Sequence, residues 1–235
     1  MSTIPQETTL RGYLEYQADR VEALCAAHRT PVHVTGGVVG PRIVRFTLMP
    51  APHIKYATIA RMETDLAIAL RVPSVQISSD VSGIVMEFPN PRPKEINFDD
   101  ILPEVCPVAT ALLGLTTDGT PLLARLPSPD VAHILIAGTT GAGKSVLLRV
   151  IASSLALKND PHVLAMLAID PKNRTFPPDT TWAHLAHPVV TQENDMRQAL
   201  FDLVALMEER DRTGEDMPHV IIFIDELNDL VISVE

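Results

Sequence analysis

Aromatic side chains are scarce in this chain, at 4% of 235 residues, so any core it forms must be largely aliphatic. Basic charge is also in deficit: 19 Lys and Arg face 29 Asp and Glu, a formal net charge of −10. Phosphate backbones are gripped by clustered Lys and Arg, which excludes a general nucleic-acid glue but not a local basic loop or one supplied by another segment. Cysteine is nearly absent. Cys25 and Cys106 lie far apart without metal-ligand spacing, the pattern of two reduced thiols in a cytosolic protein. No apolar run approaches the ~20 residues that span a bilayer; VLAMLAI (163–169) is among the longest. The start, MSTIPQETTLRG, lacks the charged and apolar regions of a signal peptide. A soluble, cytoplasmic chain is expected. There is no internal repeat and no low-complexity segment. What is present is 46% hydrophobic and 20% charged residues, enough for a sizeable core in one large or two small domains.

Two rhythms divide the chain. Residues 7–29 predict a helix with Leu14, Val21, Leu24 and Cys25 on one face. The stretch 33–50 carries two Gly-marked turns between β-rich pieces, and 53–71 predicts one helix through Ile59, Met62, Leu66, Ala69 and Leu70. Short strands at SVQIS and GIVMEF precede PNPRPKE, a candidate boundary. Two apolar runs around Asp118-Gly119 then predict a hairpin. From Val131 the order becomes strand, helix, strand, helix, strand: HILIA, KSVLLRVIASSLALK, VLAMLAID, NDMRQALFDLVALMEER, VIIFIDE. That alternation predicts an α/β fold with a parallel sheet whose strands are covered on both faces. The first of these helices is apolar nearly all round and is expected to be buried. The expected divisions are an N-terminal helical segment (1–30), a small α/β domain (31–100), a linker with hairpin (101–130) and a nucleotide-binding part (131–235).

Between HILIA and the first of those helices, Gly138-Thr139-Thr140-Gly141-Ala142-Gly143-Lys144-Ser145 fits G-x-x-x-x-G-K-[ST] in full. It stands after an apolar strand and before a helix, the context a phosphate-binding loop needs. Glycines bring backbone N–H groups close to an anion, and the helix start adds its own N–H groups and positive dipole end. Lys144 can reach the β- and γ-phosphates of ATP, and Ser145 can place its hydroxyl on Mg²⁺. The spacing is not that of a dinucleotide loop. At the end of VIIFI, Asp225 can hold the Mg²⁺ through water, and Glu226 can polarise a water for attack on the γ-phosphate. Adjacent Asp and Glu favour a nucleotide-hydrolysing motor over a small-molecule kinase, although Asp170, at the end of its strand, leaves a kinase reading open as a substrate-binding acid.

These residues resemble the FtsK/SpoIIIE family of DNA-translocating ATPases. HILIAGTTGAGKSVLL resembles its phosphate loop. AIDPKN, with Asp170, Pro171 and Lys172, resembles its Asp-Pro-Lys segment, and VIIFIDELNDL its acidic strand. GPRIVRFTLMPAP, METDLAIAL, VQI and MEFPNP follow the order of the family's small α/β domain, so the likeness runs from about residue 30 onward. The resemblance implies an incomplete RecA-like motor, Lys144 and Glu226 as catalytic residues, double-stranded DNA as partner, and a homo-oligomeric, six-membered ring with ATP between neighbours. It implies that further strands, the partner arginine and the DNA-gripping loops lie outside this chain, so that the chain alone is expected to be a poor ATPase. MEERDR and SDVSG depart from the family pattern. Two other readings stand beside it: a non-catalytic nucleotide-binding fragment or interaction module, and a coupling ATPase for plasmid conjugation or secretion. Lys172 has no role that the sequence explains. His184 and His187, at i and i+3, lack a completing ligand, and Trp182 is expected to pack.

Overall fold

The fold is described from a computed structural model, which covers residues 10–81, 83–131, 133–177 and 179–227. Residues 7–9, at the expected start of the first helix, and 228–235, after the acid pair, lie outside the described residues. The chain forms two compact units: residues 1–100 with 115–120, and residues 101–114 with 121–235.

In the first unit, helix α1 (Leu10–Ala27) is followed by strands β1 (Val32–Val39) and β2 (Ile43–Pro50), helices α2 (Tyr56–Ala60) and α3 (Glu63–Leu70), and strands β3 (Gln76–Asp80) and β4 (Gly83–Pro89). The strands make an antiparallel sheet in the order β1-β2-β4-β3. In β2, Val44, Phe46 and Leu48 are buried and alternate with less buried residues, so one face of the sheet is apolar. The helices cover that face: Val21 and Cys25 of α1, Ile59 of α2, and Leu66 and Leu70 of α3 join Phe46, Met86 and Phe88 in one core.

Two expectations fail here. The single helix over 53–71 is broken, because the Met62 amide bonds the Ile59 carbonyl three residues back at 2.9 Å and a new helix begins at Glu63. The tighter turn rotates the second piece so that Met62, Leu66 and Leu70 still reach the sheet. Gly36-Gly37 is no turn either. It lies within β1, where the pairing with β2 shifts between Val34 and Gly36 as a bulge.

The short helix α4 (Phe98–Ile101) spans the point in the chain where the second unit begins, and in that unit the hairpin strands β5 (Thr110–Leu115) and β6 (Pro121–Arg125) precede helix α5 (Lys144–Lys158). Strand β7 (Leu164–Ile169), helix α6 (Glu193–Thr213) and strand β8 (His219–Ile224) complete it. β7 and β8 pair in parallel, from Leu164 opposite His219 to Ile169 opposite Ile224. β7 also bridges Leu185 and Val190, and its burial matches its continuous apolar run. The α5 face bearing Ile151, Ala152 and Leu155 packs with Met166, Phe176 and Phe223. The Ser154 hydroxyl accepts the Leu112 amide at 3.0 Å, and the Asn159 carboxamide oxygen accepts the Ala109 amide at 2.9 Å.

Two further corrections belong to this unit. Residues 133–139 form no strand. A strand exists only with a ladder partner, and the β8 edge opposite β7 is separated from 134–137 by a cleft. Nor is α5 buried all round: Val146 and Leu157 are 57% and 64% exposed.

Candidate nucleotide site

The loop preceding α5 folds tightly on its own backbone. The Ala142 amide bonds the Thr139 carbonyl at 3.1 Å, and the Leu147 amide bonds the Gly143 carbonyl at 2.9 Å, closing the first turn of α5. Gly141 and Gly143 have φ of 81° and 95°, a left-handed backbone in which a side chain is strained. Residues 138–143 are exposed and precede the start of α5, the positive end of its dipole. The Lys144 ammonium folds back over the loop and donates to the carbonyls of Gly138 (2.9 Å) and Thr139 (3.0 Å). A cation held by two carbonyls is ready to exchange them for phosphate oxygens.

Asp225 and Glu226 follow β8. The register of the parallel pair carries them to the same end of the sheet as Asp170, which follows β7, and the Asp225 amide bonds the Ile169 carbonyl at 3.0 Å. Ala137, Gly138 and Lys144 on one side, and Phe223, Asp225 and Glu226 on the other, line a single cleft of about 880 Å³. Ile134, Leu135 and Ile136 and residues of β8 also line it. Lys144 and the two acids therefore share one cavity although 80 residues separate them in sequence. Ser145, in the first turn of α5, is not among the residues lining it.

The acids are held by the loop that follows β7. The Thr175 hydroxyl donates to Asp225 Oδ2, and the Glu226 amide donates to Asp225 Oδ1 at 3.0 Å. Lys172 Nζ lies 3.4 Å from Glu226 Oε1, with both side chains part exposed. Glu226 has φ of 56°, a conformation that costs a non-glycine residue about 1–3 kcal/mol and that persists where surrounding contacts hold it. Sequence reasoning noted Lys172 without a role and missed Thr175. Nothing in the spacing of Thr175 points to a residue fifty positions away.

Asp170 is wholly buried, and both of its oxygens are committed to backbone. Oδ1 accepts the Lys172 amide at 3.2 Å, and Oδ2 accepts the amides of Thr175 (2.8 Å) and Phe176 (2.9 Å). An acid with no exposed surface and three acceptor sites given to its own loop is not placed to meet a substrate hydroxyl, which weighs against the kinase reading. His184 bonds the Asn159 carbonyl at 2.9 Å and His187 the Pro188 carbonyl at 2.7 Å. Among the described residues no group of His, Cys, Asp and Glu is arranged to hold a metal by itself. The oxygens that could join a phosphate-bound Mg²⁺ are the Ser145 hydroxyl and the Asp225 carboxylate, hard donors suited to that ion. Trp182 packs edge-on against Phe176, their ring centres 6.2 Å apart.

Comparison with known proteins gives consistent matches. A family model described as the FtsK/SpoIIIE family matches residues 107–233, and one described as the FtsK alpha domain matches residues 2–90. DNA translocase FtsK of Staphylococcus aureus is 27% identical over a stretch covering 96% of this chain and 32% of the relative. DNA translocase FtsK of Campylobacter jejuni is 32% identical, covering 83% of this chain and 23% of the relative. The chain thus spans a third or less of the length of these curated relatives. Among solved structures, the pCW3 conjugation coupling protein TcpA, in its monomer form with ATPγS, is 21% identical with a TM-score of 0.42, covering 91% of this chain and 66% of that one.

Proposed function

Since the chain belongs to the FtsK/SpoIIIE family, we propose that it is the nucleotide-binding part of an ATP-driven DNA translocase. The observation that carries this reading is the shared cleft, with Lys144 and the phosphate loop on one wall and Asp225 and Glu226 on the other. On this reading ATP enters with its phosphates against the Gly138–Ser145 loop. Lys144 releases the carbonyls of Gly138 and Thr139 and takes the β- and γ-phosphate oxygens. Mg²⁺, when bound, supplies charge neutralisation at those oxygens. Ser145 and Asp225 are the residues to hold it. Glu226 orients the attacking water and takes up its proton. Most of the rate enhancement then comes from positioning and electrostatics rather than covalent chemistry.

The wider assembly follows the same reading. The 131–235 segment acts as part of a RecA-like motor, preceded by the α/β unit built on the four-stranded sheet. The whole protein forms a homo-oligomeric ring, six-membered, around double-stranded DNA in the cytoplasm. No helix among the described residues is long and apolar enough to cross a membrane. With a net charge of −10, the grip on DNA comes from loops outside the described residues.

Titration calorimetry of the whole natural chain with Mg·ATP, and phosphate release with duplex DNA, test the proposal. The parent should bind Mg·ATP and Lys144→Ala should lose binding. Glu226→Gln should bind like the parent and hydrolyse far more slowly. Equal binding by parent and Lys144→Ala would refute the site, and binding without hydrolysis by the parent would favour the non-catalytic module instead.

A further inference from the structure

The segment after β7 is built as a rigid cradle, and two of its side chains end on the acid pair. Asp170 gathers the amides of Lys172, Thr175 and Phe176 around one buried carboxylate. Asn173 sits inside that turn with φ of 52°. Phe176, 2% exposed, pins the far end of the loop in the core against Trp182 and Phe223, with ring centres 6.2 and 5.6 Å away. Thr175 and Lys172 project from this frame. The first donates its hydroxyl to Asp225 and the second sets its ammonium 3.4 Å from the Glu226 carboxylate. The acids follow the end of β8, with Glu226 itself in a left-handed backbone conformation.

We propose that Lys172 and Thr175 are positioning residues for nucleotide hydrolysis: Thr175 orients Asp225 toward the metal, and Lys172 orients Glu226 toward the attacking water. Neither side chain needs to touch nucleotide. As a contribution to folding, the Lys172–Glu226 pair is worth little, because part-exposed ion pairs are screened by water. Its significance lies in direction: an acid misplaced by about 1 Å can lose roughly a hundredfold in rate.

The inference rests on the proposed ATPase reading, and its test separates the two. In the whole natural chain, steady-state hydrolysis is measured for Lys172→Met, Lys172→Arg, Thr175→Val, Thr175→Ser and Glu226→Gln, with thermal unfolding as a check on folding. Lys172→Met should lower kcat about ten- to a hundredfold, with KM for ATP within about twofold of the parent. Lys172→Arg should recover most of the loss. Thr175→Val should raise the Mg²⁺ concentration needed for half-maximal rate, and Thr175→Ser should not. Adding Lys172→Met to Glu226→Gln should slow it no further, since the lysine acts through the glutamate. Parental kcat in Lys172→Met would overturn the proposal, as would a loss that Arg does not rescue or one that adds fully to Glu226→Gln. If Glu226→Gln itself turned over like the parent, the ATPase reading of the site would fall first.

Discussion

Replacing Asp170 by Ala puts stress on the loop that holds the acid pair. The side chain is 0% exposed and accepts two buried amides, those of Thr175 at 2.8 Å and Phe176 at 2.9 Å. A third amide, that of Lys172 at 3.2 Å, is only partly buried and can turn to water. Each buried donor left without a partner costs about 1–3 kcal/mol. The two together therefore predict a loss of about 2–6 kcal/mol, a large share of the ~5–15 kcal/mol that holds a typical domain together. Asp170→Asn can keep its oxygen on the Thr175 and Phe176 amides and turn its N–H₂ toward the part-buried Lys172 amide, so a loss well below that of Asp170→Ala is expected. Urea unfolding followed by fluorescence of Trp182, the only tryptophan, reads the change where it occurs, because Trp182 packs on Phe176 at the end of the same loop. An Asp170→Ala variant within about 0.5 kcal/mol of the parent would refute the reasoning, since it would mean that the buried amides find other partners.

Four further outcomes follow from the packing, the thiols and the hairpin tip. Leu155→Ala, at a wholly buried position of α5, should cost about 2–5 kcal/mol in the same urea assay. Iodoacetamide at pH 8 should modify part-exposed Cys106 in the native protein and leave Cys25 untouched until unfolding, because burial pushes the Cys25 thiol up from 9.0 to about 11. Folding favours the neutral thiol, so the Cys25 contribution to stability is full below pH 9.0 and fades as pH rises toward about 11; Cys25→Ala should lessen that alkaline loss in pH-dependent melts. At the hairpin tip, hydrogen bonds from Thr116 and then Thr120 hold the Asp118 carboxyl below its usual range. That contribution is present above the ordinary carboxylate value and disappears as pH falls through the lowered one, so Asp118→Asn should flatten the acid limb of the melting curve.

The sequence by itself determined what contiguous residues can determine. The grip for a phosphate lies within Gly138–Ser145, where the turn glycines, the helix start and the cation are neighbours in the chain, so spacing alone announces it. The run of β7 and the alternation in β2 likewise state which faces are apolar, and the cores formed accordingly, whereas β8, with an equally apolar run, buries only Phe223 and leaves Ile222 43% exposed. Tertiary structure decided the rest. Ile134–Ala137 has the composition of a strand yet pairs with nothing described, because a ladder requires a second backbone at the right distance and composition supplies only the first. The helix over 53–71 is broken at Met62, and both pieces still place their apolar residues in the core, which periodicity alone does not register. Thr175 meets Asp225, and Lys172 meets Glu226, only because β7 and β8 lie side by side in parallel and end together. A side chain's neighbours across a sheet depend on strand order and register, and these are properties of the folded chain rather than of any stretch within it.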